Sequence, residues 1–207
     1  MRRVAAVVLG FVLFGSTLQA QLIDRVLAVV SNSPITLSDV NIATTFGIVT
    51  PAAGSSDPVQ SALDQLIDRV LQLIEVNRYV PPEPESAQIE AQLRAIRARF
   101  PNDAAFTTAL TQTGATERQL RSAVRDTLRI DGYLQQRFGG NYQPGDSELT
   151  RYYNAHEADF TRNGALAPFE SVRDEVRKRV IAERMTTLLR NWVADLRRRS
   201  EVTILPK

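Results

Sequence analysis

Residues 23–40 of the chain are IDRVLAVVSNSPITLSDV, and this stretch decides most of what the sequence predicts about the fold. Aliphatic and β-branched side chains dominate residues 26–30, a composition that favours a β-strand. The cluster from Ser31 to Pro34 is typical of a turn, and a second short apolar run begins at Ile35. The stretch therefore predicts a β-hairpin.

The same stretch also contains the start of a helix. The hydroxyl of Thr36 can accept a hydrogen bond from the backbone N–H of Asp39, and the Asp39 carboxylate favours a helix N-terminus. We expect this helix to extend to about Phe46. The following segment, residues 47–58, is rich in Gly, Pro, Ser and Asp, and it is predicted to be a loop.

The chain beyond this loop is predicted to be helical almost to its end, because apolar residues recur at spacings of three and four. Pro81, Pro101, Gly114 and Gly139 separate the predicted helices. The clearest repeats are Leu63, Leu66, Ile67, Val70, Leu71 and Ile74 in one helix, and Leu120, Val124, Leu128, Leu134 and Phe138 in another. A further predicted face contains Leu149, Tyr152, Tyr153, His156 and Phe160.

The C-terminal part predicts the longest helix, from about Pro168 to Arg199, with one continuous apolar stripe. The stripe contains Phe169, Val172, Val176, Val180, Met185, Leu188, Trp192 and Leu196. The last apolar run, Val202 to Leu205, has β character but no partner strand nearby in the sequence. We therefore expect a mainly α fold in which the N-terminal hairpin and the C-terminal strand form one small sheet.

The first twenty residues have the pattern of a secretory signal peptide. Arg2 and Arg3 precede the apolar run from Val4 to Phe14, and cleavage is predicted between Ala20 and Gln21. An apolar run of this length is too short for a membrane anchor, and no later stretch approaches the roughly 20 apolar residues of a spanning helix. The sequence predicts a periplasmic or secreted protein without stable membrane insertion.

Composition excludes several classes of protein. The predicted signal contains two of the 25 basic residues and none of the 23 acidic residues, so the chain beyond it is formally neutral. This balance gives no reason to expect nucleic acid as a partner. Cysteine is absent, which excludes disulfides, thiolate metal sites and a cysteine nucleophile.

Two sequence runs near the N-terminus carry a family resemblance. Residues 23–32, IDRVLAVVSN, and residues 34–40, PITLSDV, combine an Asp-Arg-Val strand, a turn and a capped helix start. In this register they resemble the opening of SurA-like periplasmic chaperones, a family of parvulin-type peptidyl-prolyl isomerases. Five later segments resemble the same family, namely Leu128 to Phe138, Asp146 to Phe160, Phe169 to Arg173, Trp192 to Arg197 and Val202 to Leu205.

The resemblance implies a domain organisation with one element missing. Residues 1–20 are the predicted signal, and residues 21–140 are similar to the helical peptide-binding domain of that family. Residues 141–167 form a linker and helix where a parvulin domain would be inserted, and residues 168–207 are the helix and strand that return to the N-terminal domain. Only residues 161–167 occupy the place of the catalytic domain, and the sequence has one histidine, His156. We therefore expect no prolyl isomerase activity.

Two functions fit these observations. One is an exported ATP-independent chaperone that binds unfolded polypeptides, including outer-membrane proteins. The other is a structural or assembly subunit that uses the same groove for one fixed protein partner, for example its own second copy. The sequence predicts no cofactor, no metal site and no catalytic residue for either.

Candidate contact residues follow from helix boundaries. The short predicted helices contain Phe100, Phe106 and Leu110, and apolar side chains on such helices are the least covered by the long helices. These three residues are therefore candidates for contact with clients. Ordinary core packing is the alternative. His156 is interpreted as a packing or capping residue. The basic run Arg197 to Arg199 is interpreted as compensating the last carbonyls and the dipole of its helix.

Overall fold

The computed structural model describes residues 24–140 and 142–206 of the chain. The predicted signal peptide and its cleavage site at Ala20 and Gln21 lie outside the described residues. The helices are α1 Leu37–Thr45, α2 Pro58–Tyr79, α3 Ser86–Arg97, α4 Asp103–Thr113, α5 Glu117–Phe138, α6 Asp146–Ala155 and α7 Phe169–Arg199. The strands are β1 Val26–Val30, β2 Ser33–Thr36, β3 Thr161–Arg162, β4 Ala165–Leu166 and β5 Val202–Ile204, and a short 3₁₀ helix covers Glu157–Phe160.

The predicted N-terminal hairpin is confirmed, with a tighter turn than expected. Strands β1 and β2 are antiparallel and are joined by Ser31 and Asn32 alone. Both turn residues have positive φ, 45° and 71°, which is the backbone conformation that a two-residue hairpin turn requires. Ser33 and Pro34, which the sequence placed in the turn, belong to β2.

The C-terminal strand completes this sheet, as the sequence predicted. Strand β5 pairs antiparallel with β1, so that Val202 lies opposite Val30 and Ile204 lies opposite Ala28. The strand order is β2-β1-β5. The two ends of the described chain therefore meet in one mainly helical fold.

The helix start predicted at Thr36 is confirmed, and α5 begins with a cap of the same kind. Thr36 accepts a hydrogen bond from the backbone N–H of Asp39, and Thr116 does the same for Gln119, each within a capping box. Two predicted helices end earlier than the apolar pattern implied. Helix α3 ends before Phe100, and α6 ends before His156 and continues as the 3₁₀ helix.

Three buried clusters divide the molecule into two regions. Two clusters lie in what we call the body, residues 24–140 together with residues 189–206. The third lies in the arm, residues 142–180, where Leu149 and Phe160 are fully buried against one face of α7. Helix α7, about 46 Å long, belongs to both regions.

Candidate functional site

The middle of α7 is the part of this helix that neither region buries. We call residues 181–188 the waist, because they connect the arm to the body. Ile181 is 37% exposed and Leu188 is 36% exposed, although both are large apolar residues. The continuous stripe that the sequence predicted on α7 is therefore buried at its two ends and open in the middle. Exposed apolar side chains beside one another are typical of an interaction surface.

Two clefts flank the waist. The first lies between α6 and α7 and has a volume of about 480 Å³. The second lies between the end of α5 and α7 and has a volume of about 400 Å³. Both clefts are lined by Arg184 and Leu188. The lining of the first cleft also includes Tyr152, His156 and Val180. The lining of the second also includes Phe138, Tyr142, Ile181 and Met185. The two clefts thus form one mainly apolar surface around the same turns of α7.

A polar chain fixes the boundary between the clefts. The guanidinium of Arg184 lies 4.0 Å from the centre of the Tyr142 ring, a cation–π contact. The hydroxyl of Tyr142 donates a short hydrogen bond to Glu148 on α6. This hydrogen bond raises the pKa of Tyr142. The charged side chains of Arg184 and Glu148 therefore lie at the rim of the two clefts, and the floor between them is apolar.

His156 has the packing role that the sequence indicated. Its ring stacks on Tyr152 with 4.1 Å between the ring centres, and its Nδ1 lies 2.9 Å from the backbone oxygen of Tyr152. His156 is also the C-cap residue of α6. Within residues 24–140 and 142–206, no group of three or more His, Cys, Asp or Glu side chains could hold a metal ion.

The predicted client-contact residues lie in the body, apart from the waist. The rings of Phe100 and Phe106 are 5.5 Å apart, and both contact Phe46. Phe106 is only 3% exposed, and the guanidinium of Arg97 lies 4.6 Å from its ring centre. Leu110 packs against the same cluster. Burial favours the core interpretation for Phe106, and client contact at these residues stays a prediction.

Little in the sequence indicates that the waist is a surface. Ile181, Met185 and Leu188 are spaced like core residues of a helix, and only the tertiary structure shows that Ile181 and Leu188 stay more than one third exposed. The one usable sign was Gly139-Gly140, which ends α5 and leaves space beside α7.

None of the helices in the described part of the chain has an apolar stretch of the length that spanning a membrane requires.

The basic run lies in the last turn of α7, as compensation of the helix dipole requires, and two of its side chains also bind α2. Arg197 donates to the backbone oxygen of Asp64 at 2.9 Å and forms an ion pair with Asp68. Arg199 lies 3.0 Å from Glu75, which is only 5% exposed. These two arginines reach across to α2 rather than to the last carbonyls of their own helix, and they attach α7 to the body.

Comparison with known proteins gives a fold. No protein-family model matches the chain, and no curated protein sequence matches it. A solved chain from Campylobacter jejuni superposes with a TM-score of 0.55 at 12% identity, covering 89% of this chain and 100% of its own length. That chain comes from the structurally related pair formed by the virulence factor PEB4 and the periplasmic protein Cj1289, described as SurA-like chaperones. The protein therefore has the fold of a SurA-like chaperone.

Proposed function

We propose that this protein is an exported, ATP-independent chaperone-like protein that binds unfolded polypeptides without catalysing prolyl isomerisation. The observation that carries the proposal is the fold shared with a SurA-like chaperone over most of the chain. The same similarity supports a periplasmic location. Segments of outer-membrane proteins are the clients we expect.

The waist is the surface to which we assign client binding. Its floor combines Ile181, Met185 and Leu188, and charged residues such as Arg184 and Glu183 lie at the rim. Burial of about 100 Å² of apolar client surface contributes about 2.5 kcal/mol. Because association has its own entropic cost, such a contact binds a client segment only weakly, and the segment can dissociate without ATP.

Two observations support the absence of isomerase activity. The place where the family resemblance puts a parvulin domain is occupied by β3, β4 and the turn between them, which contains Gly164 at a φ of 79°. A hairpin of this size has no room for a proline pocket with a cluster of histidines. The single histidine of the sequence, His156, is stacked on Tyr152.

An aggregation assay with several unrelated unfolded proteins tests the proposal. The wild-type protein is expected to suppress aggregation of each client at roughly equimolar amounts. The double variant Ile181→Ser with Leu188→Ser should lose roughly half of this effect or more, since it removes the exposed apolar floor. The melting temperature should change little, because both side chains are already partly exposed.

Val59→Ser is the matched control. Val59 is 39% exposed, close to the two waist residues, and it lines neither waist cleft. This variant should suppress aggregation like the wild type. Equal activity of the double variant and the wild type would exclude the waist as the binding surface. Failure of the wild type with every client would favour the second function, an assembly subunit with one fixed partner.

A further inference from the structure

The two edges of the small sheet differ in their backbone hydrogen-bonding groups. The residues on either side of a two-residue turn form a hydrogen-bonded pair, and the direction of the backbone groups then alternates along the strand. The N–H and C=O groups of Ser33 and Ile35 therefore point towards β1. The backbone groups of Pro34 and Thr36 point outward. Pro34 has no N–H. The N–H of Thr36 donates to Asp39 Oδ2 at 2.8 Å. The β2 edge therefore offers no free donor.

The β5 edge is open. The N–H of Leu205 donates to the oxygen of Leu27 at 2.9 Å, and the oxygen of Glu201 accepts from Ser31 at 2.9 Å. Backbone direction alternates along an antiparallel strand, so Val202 and Ile204 direct their N–H and C=O groups away from β1. Strand β5 is the last strand of this sheet, and no described strand pairs with these groups. The next outward position is Pro206, which ends the row of donors.

The side chains do not protect this edge. Native sheet edges are usually protected by charged residues, prolines or a covering element. Strand β5 carries no charge, and Ile204 is 48% exposed although it lies opposite the fully buried Ala28. Leu205 is 37% exposed. Within the part of the chain that the structure describes, the edge therefore combines two unpaired N–H and C=O pairs with an exposed aliphatic side chain.

We infer that the β5 edge binds one extended segment of a client polypeptide as an added strand. This inference rests on the proposed chaperone function and names a second contact with the client. Two N–H and C=O pairs that are about 6.8 Å apart match an extended backbone. Ile204 adds a contact for one apolar side chain on the same face of the added strand, so a segment with one apolar face fits this edge.

The small size of the edge favours a client over a second copy of this chain. A three-residue strand is about 10 Å long, and two such edges bury far less than the roughly 1,000 Å² that a stable interface needs. A client segment that also contacts the waist has no such requirement, because the two weak contacts act together on one chain.

Amide hydrogen exchange followed by NMR tests the inference. The probe is a soluble peptide in which valine and threonine alternate, with lysines at both ends. In the free protein the amides of Val202 and Ile204 should exchange fast, whereas the amide of Leu205 is protected by its bond to Leu27. Saturating peptide should slow exchange at Val202 and Ile204 roughly tenfold or more and leave Leu205 unchanged.

Two matched pairs of probes distinguish strand addition from non-specific binding of an apolar peptide. Peptides N-methylated at alternate residues are made in both registers, and only one register should abolish protection, because only its methyl groups replace the N–H groups that face β5. Ile204→Pro removes one outward donor and should weaken peptide binding roughly fivefold, whereas Ile204→Val should bind like the wild type. The N-methyl pair keeps the test valid if the proline variant does not fold.

Several results would overturn the inference. Equal binding of both N-methylated peptides, or no protection at saturating peptide, would exclude strand addition. Protection that rises with protein concentration in the absence of peptide would assign the edge to a second copy. Normal aggregation suppression without edge protection would leave the proposed function standing and remove only this inference. Edge protection without aggregation suppression would remove the proposed function and, with it, the client as occupant, and would leave only the binding of an extended peptide at β5.

Discussion

The body and the arm are both mainly helical, but their cores are closed by contacts of very different range in the sequence. In the body, Ala28 on β1 lies opposite Ile204 on β5, and Arg197 near the C-terminus binds Asp68 on α2. In the arm, the cluster around Phe160 is formed entirely within residues 142–180. The body therefore requires both ends of the chain, and the arm requires only its own segment.

Polar contacts follow the same division. In the arm, Tyr153 donates to the backbone oxygen of Ala167 at 2.6 Å, and Arg179 donates to Asp159 at 2.9 Å. These bonds join residues 14 and 20 positions apart in the chain, whereas Arg197 and Asp68 in the body are 129 positions apart. Local contacts cost little loop-closure entropy, so we expect the arm to form early and to open independently of the body. A surface between two such regions can widen without loss of either core.

Deletion of residues 168–207 should have the largest effect. It removes β5, Trp192 and Leu196 from the body, and it also removes the α7 face that covers Leu149 in the arm. The remaining chain should aggregate or behave as a molten globule, with near-UV circular dichroism lost.

Deletion of residues 201–207 is the matched control for that truncation. It removes only β5, so the protein should stay folded with a lower melting temperature. A soluble fragment lacking residues 168–207 that melts cooperatively would show that the two ends do not share one core.

Leu71→Ala and Leu149→Ala compare the two regions with the same substitution. Leu71 in the body is 1% exposed and Leu149 in the arm is 0% exposed. Each change should cost about 2–5 kcal/mol where the cavity forms. Hydrogen exchange should accelerate throughout the protein for Leu71→Ala, but mainly in α6 and the first half of α7 for Leu149→Ala. Identical exchange patterns would show a single cooperative unit.

Arg197→Ala and Arg198→Ala test how α7 is attached to the body, and they should have the smallest effects. Arg197 binds Asp68 and the backbone oxygen of Asp64, so its loss should lower the free energy of unfolding by about 1 kcal/mol. Arg198 is 74% exposed and pairs with Asp195 on its own helix, so its loss should cost less than about 0.5 kcal/mol. Chemical denaturation measures both, and equal losses would contradict the attachment role of Arg197.

The sequence alone determined the elements with local chemical signals. Thr36 and Thr116 mark helix starts because a side chain caps backbone groups within three residues, and Gly114 ends α4 with a φ of 69°. The sheet was also predictable, because the strand Val202–Ile204 cannot satisfy its backbone alone and few other strands were available. Each of these inferences depends on the chemistry of a few neighbouring residues.

The tertiary structure alone decided which apolar residues are covered. Trp192 and Leu188 lie on the same predicted stripe of α7, yet Trp192 is 6% exposed and Leu188 is 36% exposed. Helical spacing places side chains on a face, but burial depends on whether another element packs against that face. The same reason explains why Arg197 binds α2 and why the β5 edge is open. These properties depend on residues distant in the sequence, and periodicity carries no information about them.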